Sequence, residues 1–581
     1  MKQIIYTAIV ILSPLFAISQ QYYIKGQVTD ETGNGLQNVT IRLHSSPYIY
    51  YTGTAGAFGI ISSSTSDTLT FLRDGFEREK VPIRSVDYVD VKLKKVPAKS
   101  ANASSKLLSL TENLKRSDQQ QWFTGEETYA SMAENNFISA SAFPSTALTL
   151  NSDRASYSNI RRWLNMNSIV PPDAVRMEEL LNYFNFNYSE PSTDKTFTIS
   201  STYTSCPWNK SNRLLLTQIN SKKLNIDTLP PTNLVLLVDV SGSMDMPNRL
   251  PVLKAGFKSL VRNLRAKDSV SIVVYGGTVG IALNNAGGDE KERIFRVIDS
   301  LQAGGSTPGE SGLKLAYSLA KYHFIKDGNN RVILATDGDF NVGMKTETEL
   351  ENFISEKRNS GIYLTCLGIG MGNYKDSKIQ ALAQRGNGNF AYLDSYAEAE
   401  KVMLKEFTQN LYTVADDTYM SVDFDPDHVK EYRLIGFDNK IGALRDSTAI
   451  VEGGEIGSAF STLVAFEITP QDKDNMIEQQ PVVFSIHFKD PVSRQTYEIT
   501  EAPLVKFREF SLLPKYQQFA TSVIMFGSLI RNSKFVKTNW SDIQKIAKAS
   551  ADDNDYSEKE FLLLLEQARK IYSHRKKKQD L

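Results

Sequence analysis

Three short segments of the sequence place oxygen-bearing side chains at the ends of predicted strands or helices. Asp239, Ser241 and Ser243 follow an apolar run. Thr307 precedes a predicted helix, and Asp337 ends another apolar run. Carboxylate and hydroxyl oxygens are hard donors, and Mg²⁺ takes about six such oxygens while keeping some of its waters. The five side chains therefore form a candidate site for a divalent cation if the fold brings them together.

The elements that must position these side chains lie within residues 231–410, where apolar runs alternate with amphipathic helices. The apolar runs cover residues 234–238, 270–274, 332–335, 363–367 and 390–393. Continuous apolar strands separated by helices predict a doubly wound, Rossmann-like α/β sheet that is buried on both faces. Ligands of such sheets bind at the carboxyl ends of the strands. We therefore expect the three segments to meet at one edge of the sheet.

Both sides of this α/β block show the alternation of apolar and polar residues that is typical of strands with one buried face. The pattern covers residues 196–230 and residues 411–510. In the second stretch, for example, Met420, Val422 and Phe424 alternate with polar residues. We therefore predict that the α/β block is inserted into a β-sandwich formed from both flanks.

Two further segments precede these domains. Residues 21–95 alternate apolar and polar positions between Gly-rich turns, which predicts a separate, small antiparallel β-sandwich. Residues 96–120 are rich in Lys, Ser, Ala and Asn and contain few apolar residues, which predicts a linker.

Helical patterns dominate the two remaining parts of the chain. The flank of residues 121–195 contains two of them, and Pro172 opens the second. The closing region, residues 511–581, is also predicted to be helical, and Ser557 with Glu560 is typical of a capping box at the start of its last helix. We expect these helices to pack on the neighbouring domains.

The five candidate ligands resemble the metal-ion-dependent adhesion site of the von Willebrand factor A (VWA) family, which is a D-x-S-x-S run with a distant Thr and a distant Asp. Asp239, Ser241, Ser243, Thr307 and Asp337 match it residue by residue. A D-x-S-x-S run alone is also typical of a turn and a helix cap. The match to the metal site therefore depends on the distant Thr and Asp. The resemblance implies one divalent cation, Mg²⁺ or else Mn²⁺ or Ca²⁺. It also implies that an acidic residue of a protein partner fills the open coordination position.

The resemblance extends beyond the site, over roughly residues 125–572, to a bacterial VWA subfamily with a characteristic N-terminal flank and a C-terminal domain of unknown function. The matching stretches are residues 155–159, 171–176, 206–208, 336–343, 386–389 and 432–436. Asn151 is a departure, because the subfamily tends to carry an acidic residue there. The resemblance supplies no reaction and no defined partner.

The N-terminal part of the chain resembles exported bacterial proteins. Residues 26–30, 35–39 and 54–58 are similar to motifs of the carboxypeptidase regulatory-like β-sandwich, which in that family is a structural or adhesive spacer. Lys2 and the apolar run of residues 4–17, followed by small residues, predict a signal peptide over residues 1–20. We expect no transmembrane span in the mature chain, and a location in the periplasm, at the cell surface or in the medium.

The overall composition argues against several other classes of protein. The 66 Lys and Arg residues balance the 66 Asp and Glu residues, so no global field favours nucleic acid. Cys206 and Cys366 are the only cysteines, which excludes a disulfide framework but leaves one bridge open. The five histidines are scattered without metal-ligand spacing, so zinc has no support.

The leading hypothesis is a metal-ion-dependent protein-binding, adhesion or scaffolding protein of the bacterial cell envelope, without catalytic activity. One alternative is a metal-dependent hydrolase, in which the cation activates water or Ser241 acts as the nucleophile. No histidine lies near the candidate segments in the sequence, so that alternative lacks a base. Another alternative is a purely structural envelope protein, in which the β modules mediate attachment and the cation only stabilises the fold. The sequence disfavours hydrolysis and does not separate recognition from the structural role.

Overall fold

In the computed structural model, the described residues are 22–95, 127, 129 and 134–579, apart from short internal segments. The internal segments left out are residues 38, 46–48, 63, 74–75, 77–78, 85–87, 193, 306–308, 339–346, 372–373, 387, 441–452, 473–480 and 504–505, together with the side chains of residues 49, 72, 347–352 and 574–579. The predicted signal peptide, the predicted linker and Thr307 therefore lie outside the described residues. The chain divides into two compact units, residues 1–102 and 103–581.

The first unit is a sandwich of two small sheets. Its described strands are β1 (Tyr22–Asp30), β2 (Thr40–Leu43), β3 (Ile49–Tyr51), β4 (Ala57–Ser62), β5 (Ser66–Leu72), β6 (Glu79–Arg84) and β7 (Tyr88–Leu93). The sheet orders are β4-β1-β7 and β3-β2-β5-β6. Alternate apolar residues, such as Ile24, Val28 and Ile60, fill the core. Strand β1 pairs with β7 in parallel, so the expectation of a purely antiparallel sandwich is wrong for this pair.

The second unit begins with a flank that contains strands as well as helices. Its elements are β8 (Ile138–Ser139), β9 (Ser145–Thr149), α1 (Ala155–Asn165), a 3₁₀ turn (Pro172–Ala174) and α2 (Met177–Asn182). The helix that was predicted to open at Pro172 is in fact broken, because Val175 adopts an extended backbone between the turn and α2. Two longer strands follow, β10 (Phe197–Ser205) and β11 (Arg213–Ser221).

Next comes the α/β block. Its strands are β12 (Thr232–Asp239), β13 (Ser269–Gly276), β14 (Thr278–Gly287), β15 (Asn329–Thr336), β16 (Ile362–Ile369) and β17 (Phe390–Leu393). Its helices are α3 (Leu250–Arg262), α4 (Lys291–Ser300), α5 (Gly309–Tyr322), α6 (Glu347–Asn359), α7 (Asp376–Arg385), α8 (Tyr396–Glu400) and α9 (Phe407–Leu411), with a π-helical turn (Lys401–Lys405) between the last two. The strand order is β14-β13-β12-β15-β16-β17. All neighbouring strands are parallel except the β13–β14 pair. The predicted doubly wound architecture is confirmed, with β14 as an antiparallel edge strand that the sequence pattern missed.

Alternate side chains of β12 enter the two helical layers beside this sheet. Leu234, Leu236 and Val238 belong to the apolar core on the α3 side. Val235 and Leu237 belong to the core on the α5 side. All five are fully buried, and burying a side chain of this kind contributes roughly 1.5–3 kcal/mol. This packing on both faces fixes the position of Asp239 at the carboxyl end of the strand.

The chain then returns to β structure and closes with helices. The remaining strands are β18 (Thr413–Phe424), β19 (Val429–Ile435), β20 (Gly454–Gly457), β21 (Ser461–Pro470), β22 (Val482–Lys489), β23 (Thr496–Glu501) and β24 (Phe507–Arg508); the helices are a 3₁₀ turn (Phe510–Leu512), α10 (Lys515–Arg531), α11 (Trp540–Ser550) and α12 (Tyr556–Gln579). One sheet has the order β24-β10-β11-β21-β19-β8, and the other has the order β20-β18-β22-β23 with β9 also on β18. Strand β11 precedes the α/β block and pairs with β21, which follows it. The block is thus inserted between paired strands of one sheet.

The helices of the flank and of the C-terminal region share one apolar core with β11 and β21. The predicted capping box of Ser557 and Glu560 is wrong. The backbone N–H of Glu558 donates to Asp555 Oδ1, so Asp555 caps α12 and Ser557 lies within the helix. Glu560 instead pairs with Arg161 of α1 at 2.7 Å.

Two further observations concern the cysteines and the hydropathy of the helices. Cys206 and Cys366 are both buried and free, so the bridge that the sequence left open does not form. None of the helices in the described part of the chain combines the length and the apolar character that crossing a bilayer requires.

Candidate metal centre

The two candidate aspartates lie at the carboxyl ends of neighbouring strands. Asp239 is the last residue of β12, and Asp337 directly follows β15. The two strands are adjacent and parallel, with Val238 opposite Ala335. Both carboxyl side chains are fully buried. The predicted convergence at one sheet edge therefore brings two carboxylates together in a site screened from solvent.

The turn after β12 adds two hydroxyl groups to these carboxylates. The backbone N–H of Ser241 donates to Asp239 Oδ1 at 2.9 Å, which folds the turn back on the strand end. Ser243 lies in a short 3₁₀ turn (Gly242–Met244), and its Oγ is 3.0 Å from Ser241 Oγ. The two serine hydroxyls thus share one side of the turn, next to Asp239.

A glycine loop holds this turn from the other side. The N–H of Gly242 donates to Gly305 O at 3.0 Å, and the N–H of Gly304 donates to Val240 O at 2.7 Å. Gly305 has a φ of +81°, and a Cβ added there would lie 2.3 Å from the Cα of Gly277. This position therefore requires glycine. Thr307 comes two residues later, outside the described residues, so its place in the centre stays a prediction.

The charge of Asp239 is only partly compensated. Burial raises the pKa of Asp239 to about 6, although hydrogen bonds from Ser241 lower it, and the nearby charge of Asp337 raises it further. Thr336 Oγ1 donates to Asp239 Oδ2 at 3.3 Å. Neutral donors of this kind do not compensate a buried carboxylate fully, so the site favours a cation.

Arg249 also reaches this centre, although the sequence did not single it out. Its Nη1 donates to Asp337 Oδ2 at 2.5 Å and to the carbonyl oxygen of Ser243 at 2.7 Å. Its Nη2 donates to Met371 O at 2.7 Å. Arg249 occupies the N-cap of α3, where a positive charge opposes the helix dipole.

The chemistry of the donor set fits a small, hard divalent cation. Carboxylate and hydroxyl oxygens suit Mg²⁺, Mn²⁺ or Ca²⁺, whereas thiolate and imidazole suit softer metals. Among the described residues, no three His, Cys, Asp or Glu side chains are grouped so that they could hold a metal. A cation in this centre would therefore depend on the hydroxyls of Ser241 and Ser243 as well as on the two carboxylates.

Three protein families match successive parts of the chain. The family described as von Willebrand factor matches residues 123–216, the von Willebrand factor type A domain matches residues 233–409, and the C-terminal family of uncharacterized protein YfbK matches residues 409–571. Uncharacterized protein YfbK of Escherichia coli (strain K12) is 35% identical over 470 residues, which cover 76% of this chain and 81% of that protein. The chain belongs to the YfbK family. The candidate centre of this family member lies inside the part that matches the VWA domain.

Other similarities to this YfbK-family chain are narrower. Uncharacterized protein sll0103 of Synechocystis sp. is 27% identical over 191 residues, which cover 32% of this chain and 44% of that protein. A solved von Willebrand factor type A structure from Catenulispora acidiphila covers 66% of this chain and 91% of its own, with 13% identity and a TM-score of 0.38. The family matches leave residues 1–122 uncovered, so the predicted carboxypeptidase regulatory-like identity of residues 21–95 has no support from them.

Proposed function

We propose that this protein recognises a protein partner through a divalent cation held by Asp239, Ser241, Ser243, Thr307 and Asp337. A VWA domain suggests a protein-binding or adhesion role, and the proposal adds the cation and its ligands. The observation that carries it is the convergence of two buried carboxylates with two hydroxyls 3.0 Å apart at one sheet edge. The cation, Mg²⁺ or else Mn²⁺ or Ca²⁺, would supply a positive charge to which a carboxylate can bind.

The chain's own residues account for the expected selectivity. Serine hydroxyls are neutral ligands, so they hold a cation without cancelling its charge. The resulting positive site suits an exposed Asp or Glu of a partner protein. We propose that the protein is exported and acts at the cell envelope as an adhesion or scaffolding protein, with residues 21–95 as a carboxypeptidase regulatory-like spacer.

The surroundings of the centre support binding rather than hydrolysis. His323, His428 and His487 contact the side chains of Asn284, Asp425 and Ser421 respectively, all outside the centre. Ser241 Oγ is paired with Ser243 Oγ instead of with a histidine. A nucleophilic serine needs an adjacent base. The contacts of Ser241 therefore suit a metal ligand better than a nucleophile.

Affinity capture tests this function. The purified protein is immobilised and exposed to an envelope extract, once with Mg²⁺ and once with EDTA. Asp239→Ala removes a ligand, and Asp245→Ala removes an exposed neighbouring carboxylate as the matched control. We expect partner capture only with Mg²⁺, by the wild type and Asp245→Ala. Capture that persists in EDTA or with Asp239→Ala would refute metal-dependent recognition and favour attachment by the β modules.

A further inference from the structure

We propose that Arg249 sets the charge of the candidate metal centre, so that the centre binds a metal and a carboxylate together more readily than the metal alone. This inference rests on the proposed function of the centre and assigns to Arg249 a role that the five-ligand pattern does not contain. It concerns the specificity of the site and not the identity of the metal.

The contacts of the guanidinium place its charge among the candidate ligands. Arg249 Nη1 bridges the Asp337 carboxylate and the Ser243 carbonyl, at 2.5 Å and 2.7 Å. Asp337 is fully buried and Arg249 is 7% exposed, so water screens this ion pair little. One of the two carboxylates is therefore already paired with a cation that belongs to the protein.

The surrounding backbone is shaped to accommodate this arginine. Gly370 has a φ of +84°, and a Cβ added there would lie 2.6 Å from Arg249 Nε. The next residue, Met371, accepts a hydrogen bond from Nη2 at 2.7 Å. The loop after β16 thus leaves room for the guanidinium and fixes it, at a helix N-terminus that disfavours positive charge. Because the helix N-terminus disfavours a positive charge, the contacts that hold Arg249 there indicate that it is part of the site.

The net charge of the centre shows how Arg249 would affect binding of the metal and of a carboxylate. Asp239 and Asp337 contribute two negative charges and Arg249 contributes one positive charge, so these three side chains sum to −1. A divalent cation changes the sum to +1, and a partner carboxylate then brings it to zero. Without Arg249, the metal alone would reach zero and the carboxylate would leave −1. Because uncompensated buried charge is costly, Arg249 weakens binding of the metal alone and favours the complex of metal and carboxylate.

The test uses Mn²⁺ as the metal and acetate as the carboxylate. Free Mn²⁺ is counted by electron paramagnetic resonance in titrations of the full chain, in chloride and in acetate at matched ionic strength. For the wild type, acetate should tighten Mn²⁺ binding, since the coupling between two ligands is reciprocal. Arg249→Gln should bind Mn²⁺ alone about tenfold more tightly, because a nearby positive charge is gone, and should lose the acetate effect. Arg249→Lys keeps the charge and should retain the acetate effect.

A merely structural role predicts a different pattern. If Arg249 only held Asp337 in place, Arg249→Gln would bind Mn²⁺ more weakly and keep the acetate effect; that result overturns the inference, as does Arg249→Lys behaving like Arg249→Gln. Should Arg249→Gln fail to fold, the absence of an acetate effect in the wild type would still overturn it. Failure of the wild type to bind Mn²⁺ at all would instead refute the proposed function of the centre. The two failures are therefore distinguishable.

Discussion

Two regions of the second unit bury pairs of carboxylates and compensate them differently. In the first, Arg176 of the flank lies between Glu179 of α2 and Asp376 at the start of α7, and all three are almost fully buried. In the second, Asp239 and Asp337 lie at the candidate metal centre. Arg176 bonds to both carboxylates of the flank cluster, whereas the described contacts of Arg249 reach only Asp337 of the pair at the centre.

The hydrogen bonds explain this difference. In the flank cluster every carboxylate oxygen has a donor: Arg176 reaches both carboxylates, Ser156 N–H donates to Glu179 Oε2 at 2.8 Å, and Asn159 Nδ2 donates to Asp376 Oδ2 at 3.3 Å. At the centre, by contrast, the donors that the described residues supply to Asp239 are neutral. A saturated cluster stabilises the fold but offers nothing to a partner. Incomplete compensation is what makes the centre a candidate binding site.

The largest effect is expected from breaking the flank cluster. Arg176→Met leaves two buried carboxylates without their cation, which should lower the free energy of unfolding by about 3–5 kcal/mol. Urea denaturation measures the loss. Metal affinity of the remaining folded protein should not change, because the centre keeps its own residues. A loss below about 1 kcal/mol would show that the cluster is not the clamp that its hydrogen bonds indicate.

A smaller effect is expected from the glycine loop of the centre. Gly305→Ala places a Cβ against Gly277 at a positive φ and should cost about 1–3 kcal/mol of stability. It should also weaken Mg²⁺ binding, because Gly305 O anchors the turn that carries the serines. Urea denaturation and calorimetry measure the two effects. Gly280→Ala, at a glycine with open space for a Cβ, is the matched control and should change neither. Unchanged metal affinity in Gly305→Ala would show that the glycine loop does not contribute to metal binding.

A still smaller effect is expected in a cluster where one arginine pairs with three carboxylates. Arg161 pairs with Asp394, Glu398 and Glu560, and Glu560 is the more exposed arm at 19%. Glu560→Gln should therefore cost only about 1 kcal/mol, since Asp394 and Glu398 still compensate the guanidinium. Thermal or urea unfolding measures it. A loss as large as that of Arg176→Met would contradict this difference between redundant and essential partners.

The last effect appears only as the pH changes. Glu558 at the start of α12 accepts a hydrogen bond from Asp552 N–H at 2.6 Å, and burial raises its pKa from 4.5 to about 7. A raised pKa in the folded state means that the folded protein binds the proton more tightly, so the contribution of Glu558 to stability falls as the pH rises from about 4.5 to about 7 and no longer changes above that range. Glu558→Gln should show a shallower slope over this range. Urea denaturation across the range measures it, and identical pH profiles would show that Glu558 has an ordinary pKa.

Much of this architecture follows from local sequence pattern, and its exceptions have physical reasons. Continuous apolar runs predicted the five parallel strands because both faces of each are buried. Strand β14 escaped because it is a half-exposed edge strand without that signal. The cap of α12 was misplaced because Asp555 and Glu558 repeat the same capping spacing two residues earlier.

Some residues of the candidate site could also be predicted from local sequence, and others could not. Asp239, Ser241 and Ser243 are close in the sequence, so their spacing alone points to a shared site. Arg249 meets Asp337 across 88 residues, and Arg176 meets Asp376 across 200. No local pattern encodes contacts of that separation, and arginine is a residue type that is mostly exposed, so the burial of these two is a property of the fold.

Calorimetric titration of Mg²⁺ into the wild type, Asp239→Ala and Asp245→Ala tests most directly whether the centre holds a cation through Asp239. Asp239 lies buried in the centre, whereas Asp245 is exposed on the same turn, so the two variants lose the same charge in different surroundings. We expect one Mg²⁺ per chain for the wild type and Asp245→Ala, and no measurable binding for Asp239→Ala. Equal Mg²⁺ affinity in all three proteins would contradict the assignment of the centre.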